Sequence, residues 1–552
     1  MGQRIANEPV CGLMPTSAKA RRSVIPSPPT PSEDQSEIIR FLSQPASYRG
    51  DTIESVETIA THASVVFLAG DRAVKLKRAV KYTYLDYSTT ERRRRACEAE
   101  LALNRRTAPA LYLSATPICR MPGGGLKFNG PGEPVDWVVV MRRFPQDALF
   151  SRLAEQGALT TRLAFDLADR IAAFHAIAEA QPDQGGAQGN TAVIQINDEN
   201  LRRSPPLGIG TADIDRLRDG SRAALAKQAE LLDRRRGTGR VRRCHGDLHL
   251  GNICLIDGQP TLFDCIEFSD LISCIDVLYD LAFLLMDLRH RGLVRQCGLV
   301  FNRYLDLAHD DDGVPALPLF MSLRAAVRAH VTAAAAAGLE TTDLRERKLA
   351  DARSYFDLAV DLLVPKASHL LAVGGLSGTG KSSVAAALAG ELGIGAGARV
   401  LRSDVVRKQL FGSSLEERLP AEAYTMTVNE RVYATLERRA AALLAAGHSV
   451  VIDAVCARPE ERAALADLAR RSGAGFAGIW LQASEATLRA RLAQRGKDAS
   501  DATPETLQRQ LAYDLGIIDW TRIDANQPRD AVIEAARKAI GAPASRDRRT
   551  LV

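Results

Sequence analysis

No Cys-x-x-Cys pair occurs anywhere in the 552 residues, and the nine cysteines are scattered and odd in number. Neither a disulfide framework nor a zinc site is expected, and a reducing cytoplasm suits such usage. No apolar run reaches the roughly eighteen residues of a membrane span. The N-terminus lacks a hydrophobic signal core, and Ala6 stands where myristoylation after Met1-Gly2 needs Ser or Thr. A dominant charge is missing too. The 72 Lys and Arg against 66 Asp and Glu leave only +6. That argues for neither nucleic acid nor membrane as a partner, while a pI near 8.8 suits anionic ligands. What remains is 46% hydrophobic and 25% charged, a globular composition with ample core. The length suggests about two to four domains.

Residues 1–37 read as a disordered tail, with Pro26, Pro28, Pro29 and Pro31 among Ser, Thr and acids. Order begins with the helical stretch EIIRFLSQ. Val65–Leu68, a Gly70-Asp71 turn and Ala73–Lys77 then form a hairpin. Lys75 and Lys77 alternate with apolar residues and so share a face. Residues 88–106 are a helix capped by Ser88 or Thr89, carrying Glu98 and Glu100. Asp136–Met141 is a buried strand. Leu163, Leu167, Ile171 and Phe174 mark a helix at about 160–180, with His175 as a satisfied core histidine. Residues 181–210, rich in Gly, Pro, Gln and Asn, read as a loop or small insertion. Residues 280–362 are mostly helical, with a break at Pro315–Pro318.

The most informative stretch is Cys244–Phe268. Asp247 follows His-Gly, Asn252 comes five residues later, and Asp264 ends the short strand Thr261–Phe263. Phosphoryl transfer needs a carboxylate to orient the acceptor hydroxyl and oxygen ligands for Mg²⁺. A loop supplying Asp and Asn, then a strand returning a second Asp, meets both needs. The pattern resembles the H-G-D-x-x-x-x-N loop of aminoglycoside-phosphotransferase-like proteins of the protein-kinase-like fold. The resemblance implies that Asp247 is the catalytic base and that Asn252 and Asp264 are metal ligands. It also implies that Lys75 or Lys77 holds the nucleotide phosphates, paired with Glu100 or else Glu98. Ala-Val-Lys75 looks most like the kinase strand. No G-x-G-x-x-G precedes it; Thr61–Ser64 occupies that loop. Asp276 and Asp280, in the pattern Asp-x-x-x-Asp-Leu-Ala, would cap and brace the loop. Only eleven residues separate Asp264 from Asp276, too few for a segment that docks a polypeptide. A small-molecule acceptor is expected.

Pro365 marks a second boundary. The strand His369–Val373 leads into Gly375-Leu-Ser-Gly378-Thr379-Gly380-Lys381-Ser382, and Ser383–Leu392 continues as a helix. Strand, G-x-x-x-x-G-K-S loop and helix come in the order a P-loop requires. Backbone amides of the loop, through Ser383, would cradle phosphate at a helix N-terminus, with Lys381 on the β- and γ-phosphates and Ser382 on Mg²⁺. Val400–Asp404, Ser449–Asp453, Ile479–Leu481 and Arg522–Asp524 read as further strands, and 529–540 as the closing helix. Acids at strand ends face the ligand crevice of a parallel α/β sheet. This half is similar to gluconate kinases, zeta-toxin-like kinases and polynucleotide 5′-kinases, and is too short for AAA+ machinery. By that similarity Asp404 orients the acceptor hydroxyl, Arg407 binds an acceptor-side anion, and Asp453 serves the metal. Arg491 and Arg495 belong to an arginine lid, or else simply share a helix face at i, i+4.

The expected architecture is α/β and multidomain. A tail (1–37) precedes a bilobal kinase-like α+β domain (38–365), a P-loop domain with a mainly parallel sheet (366–545) and a short tail (546–552). The chain resembles bacterial proteins that join these two domain types. That resemblance implies an ATP- and Mg²⁺-dependent phosphotransferase with two nucleotide sites, GTP being an alternative at the second. The acceptors would be small hydroxylated molecules, with a nucleic-acid 5′ end conceivable only at the P-loop domain. Two alternatives stand beside it: a P-loop domain acting as a nucleotide-driven regulatory ATPase, and a first domain that is a pseudokinase scaffold.

Overall fold

The computed structural model describes residues 33–48, 53–61, 63–82, 85–204, 207–337, 339, 341–494 and 499–541. Residues 1–32 of the first expected tail, the whole of the second and Arg495 lie outside them; residues 33–37 are not tail, since Gln35 is buried on Asp136 and the Ala79 N–H, and Ser36 and Glu37 open a helix. The chain divides into two compact units: one runs to Asp287 and takes up Leu319–Val360, the other comprises Leu288–Pro318 and the chain from Asp361 on. The packing division therefore differs from the boundary read at Pro365. Among the described residues no helix is long and apolar enough to cross a membrane.

The first unit is built on a six-stranded sheet of order β1-β2-β3-β6-β4-β5. Its strands are β1 (Val56–Ala60), β2 (Ser64–Ala69), β3 (Arg72–Lys77), β4 (Tyr112–Arg120), β5 (Leu126–Phe128) and β6 (Glu133–Arg142). The expected hairpin is β2–β3, with Lys75 opposite Val66 and Lys77 opposite Ser64. Phe67, Val74, Leu76, Ile118 and Val138 fill one face, joined by Ile38 and Leu42 of the helix Ser36–Ser43. The helix Thr90–Asn104 begins at Thr89, whose hydroxyl accepts from the Arg92 N–H, so Thr89 and not Ser88 is the cap. Two short antiparallel pairs frame the Asp247 loop. In chain order their strands are β7 (Val241–Arg243), β8 (Ile253–Ile256), β9 (Gln259–Leu262) and β10 (Cys274–Asp276); β7 pairs with β10 and β8 with β9.

The stretch 181–210 is not a loop. Gly186–Arg203 is a helix, and Val193, Ile194, Ile196 and Leu201 bury its apolar face. Tertiary burial has overridden poor helix formers here.

The second unit carries a five-stranded sheet of order β12-β13-β11-β14-β15 with every pairing parallel. The strands are β11 (His369–Gly374), β12 (Arg399–Arg402), β13 (Val450–Asp453), β14 (Gly475–Gln482) and β15 (Thr521–Asp524), and the helix Arg529–Ala539 follows. All five match expected strands. The second differs in extent: it ends at Arg402, and Asp404 lies in the first turn of the helix Ser403–Leu410. The carboxylate is thus presented by a helix N-terminus, where the backbone favours negative charge.

Candidate active sites

In the first unit both strand lysines converge on Glu100, which is fully buried. Lys75 Nζ donates to Glu100 Oε1 at 2.9 Å and to Asp264 Oδ1 at 2.7 Å. Lys77 Nζ donates to Glu100 Oε2 and Glu267 Oε1, both at 2.6 Å, and lies 3.2 Å from the Tyr87 hydroxyl. Only Lys75 joins the helix glutamate to Asp264. Burial alone would raise the Glu100 pKa, but the two ammonium groups outweigh it and hold the carboxyl down at about 2. Glu98 is elsewhere, on the exposed face with Arg94.

The Asp247 loop is fixed from behind. Asp280, fully buried, accepts from the His245 N–H at 3.1 Å and the Gly246 N–H at 2.8 Å, and contacts His175 Nε2 at 3.1 Å. Burial pushes Asp280 up; the His175 hydrogen bond and nearby positive charge more than offset it and leave the carboxyl at about 2. Leu250 N–H donates to Asp287 at 3.0 Å, and Arg324 Nη1 donates to the Gly246 carbonyl at 3.1 Å. His245 Nδ1 accepts the Asp247 N–H and its Nε2 meets the Phe263 carbonyl at 2.9 Å, so one neutral ring ties this loop to the Asp264 strand. Burial lowers its pKa and keeps it neutral. Gly246, at φ +84°, could take no side chain, since a Cβ would stand 2.9 Å from Ile266.

Asn252 donates through Nδ2 to Asp247 Oδ2 at 2.8 Å and to the Asp247 carbonyl at 3.0 Å. Its amide oxygen is the atom left for a cation. Asp264 is held at φ +61°, a left-handed conformation that costs a non-glycine residue roughly 1 kcal/mol; its carboxylate is thereby turned toward Lys75. Lys75, Glu100 and Asp264 thus form one cluster and Asp247 with Asn252 another, and the two are tied through Phe263, whose N–H donates to the Asn252 carbonyl at 3.0 Å and whose carbonyl meets His245 Nε2. Sequence reasoning missed Glu267 and Tyr87, whose 2.6 Å hydrogen bond completes the Lys77 pocket. The glutamate three residues after Asp264 was the available signal.

In the second unit the P-loop is pinned at each end. Gly375 N–H donates to the Val455 carbonyl at 3.1 Å, and a Cβ on Gly375 would lie 2.5 Å from the Leu481 carbonyl oxygen. A Cβ on Gly378 would meet the Leu488 carbonyl at 2.9 Å, whereas beside Gly380, at φ +92°, nothing lies within 4 Å. The loop is therefore open on the Gly380 side. Thr379 Oγ1 donates back to the Leu376 carbonyl, and Lys381 Nζ rests on the same oxygen at 3.1 Å. Ser383 N–H is taken by the Gly380 carbonyl. Arg402 closes the site: its Nη2 is 3.3 Å from Ser382 Oγ and its Nε 3.3 Å from Asp453 Oδ2. Burial raises the Asp453 pKa against the pull of Arg402 and Lys381, and Asp404 raises it further. Arg407 is buried, with Nη1 on the Ala423 carbonyl, Nη2 on Asn429 Oδ1 (both 2.7 Å) and its guanidinium over the Tyr424 ring. Those two nitrogens are already engaged by the protein. Arg491 is on the helix Glu485–Ala493, which borders the P-loop through Leu488.

Both candidate metal positions suit a hard cation. The first offers an amide oxygen and a carboxylate that already holds an ammonium; the second offers a hydroxyl and a carboxylate that already share a guanidinium.

Residues 69–316 match the phosphotransferase enzyme family, and residues 370–514 match a family described as an AAA domain. The uncharacterized protein Rv2004c of Mycobacterium tuberculosis is 31% identical over 495 residues, spanning 87% of this chain and 94% of that protein. Among solved structures, a gluconokinase from Sinorhizobium meliloti is 24% identical, covering 32% of this chain and 97% of its own, at a TM-score of 0.24. A choline/ethanolamine kinase family protein from Mesorhizobium loti is 15% identical, covering 58% and 94%, at a TM-score of 0.36. With a kinase-like unit and a P-loop unit in one chain, the protein belongs to the two-domain family that includes Rv2004c, and it is a phosphotransferase.

Proposed function

We propose that both units transfer the γ-phosphate of a nucleoside triphosphate, ATP at the first and ATP or GTP at the second, to small hydroxylated acceptors. The observation that carries this is the pair of clusters, Lys75–Glu100–Asp264 and Asp247–Asn252, tied together through Phe263, in a chain with no room for a peptide-docking segment.

Asp247 is the group that orients the acceptor and takes its proton. Asn252 occupies its Oδ2, which leaves Oδ1 for the acceptor hydroxyl. Lys75, steered by Glu100, binds phosphate oxygens. In the second unit Gly375–Ser382 cradle the phosphates, Lys381 leaves the Leu376 carbonyl for them, and Asp404 faces the acceptor. Arg407 acts on the acceptor side through the helix it pins, and Arg491 on the phosphate side. Mg²⁺, when bound, neutralises charge on the phosphates; Asn252 and Asp264 would hold it in one unit, Ser382 and Asp453 in the other.

The test uses the full chain and reads ADP release across sugars, aminoglycosides and nucleosides. Asp247→Asn should remove one acceptor-stimulated activity by about a hundredfold or more, and Lys381→Ala should remove the other. Undiminished stimulation in the double variant would overturn the proposal.

A further inference from the structure

We infer that Arg402 is the internal cation of the P-loop site: its guanidinium holds the place of the divalent metal and sets how tightly that metal binds. The inference rests on reading residues 375–382 as a nucleotide site.

The register of the sheet puts it there. β12 and β13 are parallel with Arg402 directly paired to Asp453, so both side chains leave the sheet on the same side at its C-terminal edge. Arg402 reaches both oxygens of the metal position at once, at 3.3 Å each. Asp453 is only 5% exposed. A carboxylate so buried is costly without a partner, and Asp404 nearby adds negative charge. Lys381 also acts on Asp453, but its ammonium is drawn back to the Leu376 carbonyl. The guanidinium is in contact with both Ser382 and Asp453. Mg²⁺ needs oxygens at about 2.1 Å. An ion that close to Ser382 Oγ and Asp453 would lie in the space the guanidinium fills. Metal entry therefore requires the arginine to turn away, and metal affinity is lowered by the contacts given up.

The experiment measures Mn²⁺ binding by electron paramagnetic resonance, without nucleotide, on the full chain carrying Asp264→Ala to remove the metal carboxylate of the first unit. Adding Arg402→Gln should tighten binding about tenfold or more, and Asp453→Asn should abolish the tightened site. Arg402→Lys keeps a positive charge beside Asp453 and should stay near the parent affinity; it also keeps the test usable should the glutamine variant not fold. Unchanged or weaker binding in Arg402→Gln overturns the inference, and so does a lysine variant that tightens binding as much as glutamine. Binding of a fluorescent ADP analogue that is lost in Lys381→Ala separates the two readings. If that binding is present while Mn²⁺ affinity ignores Arg402, the inference alone fails. If it is absent, the P-loop reading fails first.

Discussion

Glu100→Ala is the sharpest test of the first site. The carboxylate is fully buried and takes ammonium groups at 2.9 and 2.6 Å. Removing one partner of a buried ion pair costs about 3–5 kcal/mol, because the remaining charge stays desolvated. Here each lysine keeps a second acid, Asp264 for Lys75 and Glu267 for Lys77, so the lower end, about 3 kcal/mol, is expected. Urea denaturation followed by circular dichroism measures it as a lowered midpoint of the first unit. The functional effect has its own direction. Lys75, freed from Glu100, moves wholly onto Asp264 and competes with metal there, so turnover falls even where the variant remains folded. Lys75→Met and Lys77→Met divide the two effects: the first should lose turnover with little stability change, the second should lose stability. A cost below about 1 kcal/mol, the range of an exposed pair, would refute the reasoning. So would equal losses of turnover in the two lysine variants.

Two further outcomes are expected. The fragment 366–552 lacks Asp311, whose carboxylate accepts from Arg399 Nε at 2.8 Å, and Arg399 is 1% exposed; the fragment should therefore melt well below the full chain or without a cooperative transition, and a full-chain-like calorimetric melt would contradict this. Acid should weaken the first unit in a defined window. Glu100 and Asp280 titrate near 2 when folded, below the ordinary 4.5 and 3.8, so their contribution is complete above those ordinary values and fades as pH falls toward 2; denaturation midpoints between pH 6 and 2 measure it, and Asp280→Asn should flatten the profile.

What the sequence disclosed followed its punctuation. The β2–β3 hairpin had a Gly-Asp turn between apolar runs, and β11 had the glycine loop after it. β4 was unread because its burial does not alternate and Pro117 interrupts it; it is a strand because β6 and β5 pair with it. The helix Gly186–Arg203 was unread because its glycines, glutamines and asparagines are turn formers in isolation. In the first unit, residue types and order were enough to propose Asp247, Asn252 and Asp264. The choice between Lys75 and Lys77 was not legible, since both share a face and both reach Glu100; the reach to Asp264 separates them. Arg402 carried no motif at all. Its position opposite Asp453 is a fact of strand register, and parallel register between strands nearly fifty residues apart leaves no local trace.

The edge of the second sheet explains why the packing division does not follow the sequence boundary. β12 is an outer strand, and an outer strand leaves backbone donors and acceptors to be satisfied or exposed. Here Asn302 does what a neighbouring strand would do: its Oδ1 accepts the Val400 N–H at 2.7 Å and its Nδ2 donates to the Ala398 carbonyl at 3.2 Å. Asp311 then fixes Arg399 and Arg439 together. Asn302 and Asp311 both lie within the stretch that matches the phosphotransferase enzyme family, yet they pack in the second unit. The strand they secure leads directly to Arg402 and Asp404. A P-loop unit cut at Pro365 would keep its glycine loop and lose the cover on the strand that leads to Asp404. The segment 288–318 is therefore a structural part of the second unit, and a division of this chain by sequence family alone separates the β12 edge from its own support.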